Sequence, residues 1–317
     1  MKTFFIFLSL GIATSPLFAT TPPVRATFLQ YQSWVTKLTA SDWEQELKSM
    51  HDAGIDTVVL QWLKYDQERY TPIHVERVDP TEQILAYADQ HGMKIYLGLW
   101  FMSEWWKQWD NADFLTSCAR RVIDFAKFEW ARYGKHKSVV GWYLPFEIGD
   151  NDFEPSELTA LNKFLSNLTG SCKKVASRPM QVLTSVFFSQ KTPAMAVEQN
   201  FDKIFSSSGI DVVIIQDGMG EQNWDETSRK NAEKYISAVG RAAKKSGAKT
   251  WIAIEVFKTE RDAAGKPGKR VPGQISEIRT RIDRERPLAD DLLFFDFFHY
   301  MSPARGAEQK ALFEAYK

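Results

Sequence analysis

Glu147 and Glu255 each close an apolar run, VVGWYLPFE and TWIAIE, of the kind that forms a strand buried on both faces. Two carboxylates brought to one site can divide acid and base work. Each ionised group raises the pKa of the other, so one keeps a proton while its partner stays anionic. At a separation of about 5 Å one can attack an acetal carbon while the other protonates the leaving oxygen. At roughly 6.5 to 9.5 Å a water fits between them and the configuration inverts. Side chains at i and i+2 share a strand face. Glu147 therefore groups with Pro145, Tyr143 and Gly141, and Phe146, Leu144, Trp142 and Val140 lie opposite. Glu255 groups with Ala253 and Trp251, against Ile254 and Ile252. The wholly apolar faces belong under helices, which leaves both carboxylates facing inward.

The elements that must position them alternate strand and helix. Strands are expected at Thr27 to Gln30, Ile55 to Trp62, Lys94 to Trp100, Val139 to Glu147, Gln181 to Phe187, Asp211 to Gln216, Thr250 to Glu255 and Leu292 to Tyr300. A capping box at Ser41 and Glu44 opens the first helix, and Gly54 ends it. Asp79 with Pro80 opens the second, and Gly92 ends it. Further helices are expected from Asn111 to Tyr133, Ser156 to about Ser177, Ala194 to Phe205, Asp225 to Lys245, Gly273 to Arg286 and Glu308 to Tyr316. Right-handed crossovers close such a chain into a (β/α)8 TIM barrel, an α/β fold of one domain spanning residues 20–317. The runner-up, a doubly wound sheet, needs a glycine-rich phosphate turn after strand one, and none is present. Gly218 and Gly220 read as loop glycines. In the barrel, the two glutamates end strands four and seven at the face that carries active sites.

Polar and aromatic side chains cluster at the same ends. Gln30, Gln61, Gln216, Asp217 and His299 offer donors and acceptors of the kind a sugar subsite requires, although each could instead cap a strand end. Asp217 could also tune the pair or hold an arginine. Asp296, inside the Phe-rich last strand, needs a partner. Trp62 and Trp100 finish strands two and three, and Tyr143 shares the face of Glu147. Trp105, Trp106 and Trp109 crowd the loop after strand three, where they can stack on pyranose rings or simply pack the loop. The segment 259–273, rich in Gly, Pro, Lys and Arg, is expected to form a rim beyond Glu255.

Composition narrows the classes. Lys plus Arg and Asp plus Glu both number 40, so no charge steers the chain toward nucleic acid or an acidic membrane. The five histidines show no ligand spacing and there is no cysteine cluster, so neither a metal nor another cofactor is expected. A nucleophile elbow is missing, which argues against a serine hydrolase. Residues 1–19 have Lys2, an apolar stretch from Phe4 to Ile12 and a small residue at Ala19, the pattern of a signal peptide. The mature chain is then periplasmic or secreted, with no membrane span. Cys118 and Cys172, an even number in an exported chain, invite a disulfide, with two buried thiols as the alternative.

The stretches GIDTVVLQW, GWYLPFEI, IIQDGMG and WIAIEVF, in that order, resemble an uncharacterised family of secreted bacterial barrels related to the clan A retaining glycoside hydrolases. The resemblance spans nearly the whole mature chain. It implies Glu147 as acid/base and Glu255 as nucleophile. Clan members usually carry Asn before the acid/base, and this chain has Phe146, which removes the usual contact to the sugar 2-hydroxyl.

The expectation is therefore a glycoside hydrolase cleaving a polysaccharide or exopolysaccharide. Its first rival is a barrel that binds saccharide without cutting it, associated with polysaccharide export and with other polysaccharide-export proteins as partners; a second is an export-complex component that uses the aromatic loop as a protein contact.

Overall fold

The computed structural model describes residues 23–72, 78–222, 224 and 226–317; the expected signal peptide lies outside them. Among these residues eight parallel strands close into one barrel: β1 (Ala26–Leu29), β2 (Thr57–Leu60), β3 (Lys94–Gly98), β4 (Val139–Ile148), β5 (Gln181–Val186), β6 (Val212–Gln216), β7 (Lys249–Glu255) and β8 (Asp291–Phe295). Each strand pairs with the next in sequence, and β8 returns to β1 through Ala26 opposite Leu293 and Thr27 opposite Phe294. Helices α1 (Ala40–Asp52), α2 (Pro80–His91), α3 (Ala112–Tyr133), α4 (Pro155–Val175), α5 (Ala194–Phe205), α6 (Glu226–Lys245), α7 (Ile275–Glu285) and α8 (Ala307–Tyr316) follow the strands in turn. The expected single-domain (β/α)8 barrel is the fold observed.

Strand alternation divides the core in two. Phe28, Val59, Tyr96, Tyr143, Leu183, Ile214, Ala253 and Leu293 fill the interior of the barrel. Trp142, Leu144, Phe146, Ile252 and Ile254 join the layer between strands and helices. Each fully buried aliphatic or phenyl side chain contributes roughly 1.5–3 kcal/mol, so this two-sided burial outweighs any local propensity. Val140 departs from the expected alternation. The β3–β4 register shifts between Ile95 and Tyr96, and this irregularity lets Val140 pack against the interior. A second shift falls between Leu144 and Ile148 along β5, where Pro145 has no N–H for the ladder. Such bulges re-aim a side chain, and here the side chain is Glu147.

Helix ends follow the expected chemistry with one change. Asp79 caps α2 and Gly92 ends it in the left-handed region, at φ 70°. The α1 box, however, is built from Thr39 and Asp42 rather than Ser41 and Glu44: Thr39 Oγ1 accepts from Asp42 N and Asp42 Oδ2 accepts from Thr39 N. Such a cap contributes about 1 kcal/mol.

Strand eight is shorter than expected. It stops at Phe295, and Asp296 caps a short helix, Phe297–Tyr300, by accepting from His299 N. The carboxylate that needed a partner thus has one in the backbone, and a second in His299 Nδ1 at 2.7 Å. Two small sheets were not anticipated. Lys64–Tyr65 and Glu68–Arg69 form a hairpin extended by Trp100–Phe101. Phe257–Arg261 pairs antiparallel with Pro267–Pro272 directly beyond β7, within the expected rim. Cys118 and Cys172 are buried and unbonded, which corrects the expected disulfide. Each occupies the apolar stripe of its helix, and burial pushes both thiols up to about 12.

Candidate active site

Glu255 ends β7 with only 5 % of its surface exposed. Its Oε2 accepts from Gly220 N at 2.7 Å and Glu221 N at 2.8 Å. The loop after β6 can approach this closely because residue 220 has no side chain. A Cβ there would sit 2.3 Å from the Phe257 carbonyl oxygen and 3.2 Å from Glu255 Cβ. Gly220, expected to be an ordinary loop glycine, is thus part of the carboxylate's cradle. Behind it, Arg281 on α7 donates through Nη1 to Asp217 Oδ2 and through Nη2 to the Glu255 carbonyl oxygen, both at 2.7 Å. Asp217 Oδ1 accepts from Glu255 N at 3.2 Å. Burial, then the Asp217 charge, raises the Glu255 pKa, and the two backbone donors and Arg281 oppose the rise.

Glu147 is half-buried at the end of β4. Trp105 Nε1 donates to its backbone carbonyl at 2.9 Å, and Gln61 Nε2 reaches its Oε1 at 3.5 Å. Burial raises its pKa; hydrogen bonding from Gln216 and Gln61 and the charge of Arg270 oppose this. Phe146, at the position where Asn is usual, is sealed in the outer core against Trp105 and Phe164. Its side chain cannot reach a sugar, and the amides beside Glu147 come instead from Gln61, just past β2, and Gln216, at the end of β6.

Both glutamates line one cleft of about 320 Å³ at the carboxyl ends of the strands. A belt of rings crosses it: Trp62 to Phe101 at 6.0 Å, Phe101 to Trp106 at 5.9 Å, and Trp106 to Phe187 at 6.3 Å. Trp106 is 48 % exposed, a large apolar face left open to a ligand. Arg270 reaches the cleft from the hairpin beyond β7, paired with Glu221 at 2.7 Å and lying over the Phe257 ring. A larger cavity of about 660 Å³ lies at the opposite barrel end around Gly54, Arg279 and Tyr316, far from either glutamate. Among the described residues no cluster of His, Cys, Asp and Glu could hold a metal ion. No helix there is long and apolar enough to cross a membrane.

Of the residues singled out in the sequence, Gln30, Gln61, Trp62, Gln216, Glu147 and Glu255 meet in this cleft. Four others do not. Tyr143 is fully buried inside the barrel, its hydroxyl bonded to Ser185 Oγ at 2.6 Å. Asp217 is fully buried and holds Arg281, the second of the roles considered for it. Trp100 turns away, with Lys64 Nζ 3.4 Å and Arg121 Cζ 4.4 Å from its ring and its indole N–H bonded to the Asp66 carbonyl. His299 is tied to Asp296 and packs edge-on to Trp34. Tyr143 lies within β4 and the other three follow strands, but period-two alternation separates inside from outside without giving height along the barrel axis. Glu221, Phe257 and Arg270 were missed because they sit on a loop and on a hairpin outside the eight barrel strands, and Phe187, at the expected end of strand five, because an apolar strand end gives no sign of a site.

Comparison with known proteins adds the family. Residues 24–307 match the family described as Domain of unknown function (DUF4434). The chain belongs to DUF4434. This DUF4434 protein is 24 % identical over 310 residues to the Uncharacterized protein YbcH of Escherichia coli (strain K12), covering 96 % of this chain and 98 % of that one. Among solved structures it is similar to a protein from Bacteroides thetaiotaomicron provisionally described as an alpha-L-fucosidase, with TM-score 0.73, 21 % identity and coverage of 93 % and 94 % of the two chains. It is also similar to a family GH18 chitinase from Cycas revoluta, with TM-score 0.58, 12 % identity and coverage of 93 % and 100 %. A third neighbour is the intracellular xylanase TsXylA of Thermoanaerobacterium saccharolyticum, with TM-score 0.52, 11 % identity and coverage of 86 % of each chain. At these identities the likeness to solved structures is one of fold: DUF4434 shares its closed barrel with glycosidases.

Proposed function

We propose that this DUF4434 protein is a retaining glycoside hydrolase acting on a polysaccharide, with Glu255 as nucleophile and Glu147 as acid/base. The observation that carries the reading is that two glutamates from opposite parts of the sequence open into one ring-lined cleft at the catalytic face of the barrel. Both bonds to the Glu255 carboxylate go to Oε2, so a sugar meets Oε1. Backbone donors do not titrate, and they favour the ionised form wanted in a nucleophile. Burial and the Asp217 charge push Glu255 up to about 8, so the roles are assigned not from the shifts but from the partners: backbone donors hold Glu255, and amides with Arg270 face Glu147. In the first step Glu255 Oε1 bonds to the anomeric carbon as the glycosidic C–O bond breaks, and the Glu147 proton passes to the leaving oxygen. In the second, Glu147 takes a proton from water while that water displaces Glu255. An exported location, with the sugar polymer met outside the cytoplasm, completes the proposal.

The test is incubation of the protein and its Glu147→Gln and Glu255→Gln variants with a panel of bacterial polysaccharides. New reducing ends are expected with the parent alone, and the first-formed anomer read by NMR should match the substrate. Undiminished cutting by both variants would remove these residues from the mechanism. A second reading, saccharide binding without cleavage, is favoured by the 5 % exposure of Glu255. It requires that the parent bind an oligosaccharide and release no reducing ends under any condition.

A further inference from the structure

A line of polar side chains runs from Glu147 to an indole on another element. Trp34, in the short 3-10 turn Ser33–Lys37 after β1, donates from Nε1 to Gln32 Oε1 at 3.0 Å. Gln32 Nε2 donates to Gln30 Oε1 at 3.3 Å, and Gln30 Nε2 to Gln61 Oε1 at 2.7 Å. Gln61 Nε2 then points at Glu147 Oε1. A primary amide can turn end for end, exchanging donor for acceptor, so three amides in series would ordinarily be free to run either way. An indole N–H only donates. With Trp34 at the head, the first amide must show it an oxygen, and the second and third must follow. While these links hold, the terminal group facing Glu147 is an NH2.

Trp34 is itself held in place. Its ring stacks on Phe298 at 5.2 Å with 14° between the planes, and Arg305 lies 4.6 Å above it. Arg305 is in turn paired with the buried Glu46. The donor's direction is therefore set by packing outside the cleft.

We infer that Trp34 is a positioning residue: it fixes the direction of the Gln32–Gln30–Gln61 chain so that Glu147 Oε1 meets a donor and the Glu147 proton rests on Oε2. The catalytic meaning of this rests on the glycosidase reading. The hydrogen-bond geometry does not. With the chain released, Gln61 can turn its oxygen toward Glu147, which favours the protonated carboxyl. The other groups facing Glu147 stay the same in both cases: Arg270 from the hairpin, Gln216 from β6, Tyr143 on its own strand and Glu255 across the cleft.

The experiment is a carbon-13 NMR titration of labelled glutamate side chains, with the Glu147 resonance assigned by its loss in Glu147→Gln. It compares the parent, Trp34→Phe and Gln32→Ala without any substrate. Gln32 is exposed, so the second variant cuts the chain while leaving the Trp34 packing in place. Both variants should shift the Glu147 titration upward, by about half a unit to one unit, given the strength of a hydrogen bond to a charged group. A merely structural Trp34 leaves Gln32→Ala at the parent value, and that result overturns the inference. Because no sugar is present, failure here is distinct from failure of the polysaccharide assay. If cutting is found, the alkaline limb of kcat/KM should move up by the same amount in both variants.

Discussion

The two glutamates share a cleft but are built into it differently. Everything around Glu147 is side chain: amides from just past β1 and β2 and from the end of β6, and the rings of the loops after β2 and β3. Around Glu255 the first contacts are backbone N–H groups, and the next are a buried ion pair on α7. The amides owe their direction to other side chains, back to Trp34, whereas the donors to Glu255 belong to a loop backbone pinned by a glycine and an arginine. A group that must hand over a proton and take it back suits the first setting. A group that must present one oxygen to one carbon suits the second.

The sharpest way to break this contrast is to change the leaving group. Glu255→Gln should lower kcat/KM by at least about 10²- to 10⁴-fold on any substrate. Glu147→Gln should do the same on a polysaccharide but much less on an aryl glycoside whose phenolate leaves without a proton. Equal losses on both substrates would erase the distinction. Next in size is Arg281→Met, which strands buried Asp217 and should cost about 3–5 kcal/mol in urea unfolding. Removing any single amide partner of Glu147 should cost far less.

Gly220→Ala should follow, losing roughly 1–3 kcal/mol as the new methyl is forced against the Phe257 carbonyl. It should also move the acidic limb of activity to higher pH, because Glu255 loses N–H donors. An unchanged limb would mean that the backbone cradle is not what favours the ionised form.

A pH scan of the melting temperature gives a smaller, graded effect. Burial is the largest cause raising Glu255, Glu147 and Asp217, and it pushes Glu129 up to about 7. For a carboxyl raised on folding, the native state holds more protons than the unfolded chain between the two pKa values. Stability is therefore greatest below the unfolded value and is lost as pH rises through the folded one. Tm should fall from about pH 5 to pH 8, less steeply in Asp217→Asn than in the parent; a rising Tm over that range would contradict the assignment. The mildest expectation is Trp106→Ala, whose lost stacking of about 0.5–1.5 kcal/mol should raise KM a few-fold to about tenfold with kcat unchanged.

Much of this was legible in the residues. Periodicity and capping signals locate all eight strands and their helices, and alternation alone turns Glu147 and Glu255 inward. What alternation could not supply was depth. Tyr143 and Glu147 share a strand face, yet one is sealed in the barrel and the other opens at its mouth. The run LLFFDFF, apolar except for Asp296, concealed the end of β8, because a strand and the short helix that follows it are both buried there. Arg270 and the glycine beneath Glu255 were missed for a different reason: their importance lies in which loop meets which, and that is settled only when the barrel closes.

The hairpin beyond β7 has a narrow footing. Gly273 N bonds back to the Val256 carbonyl at 2.8 Å, so a chain that leaves the barrel at Val256 rejoins it at Gly273. A stem closed in this way can be exchanged as a cassette, with a foreign ribbon grafted between those two anchors while the barrel stays whole. Since Arg270 rides on that ribbon, rewriting residues 257–272 would, if the polysaccharide proposal holds, change which decorations of the polymer the cleft accepts.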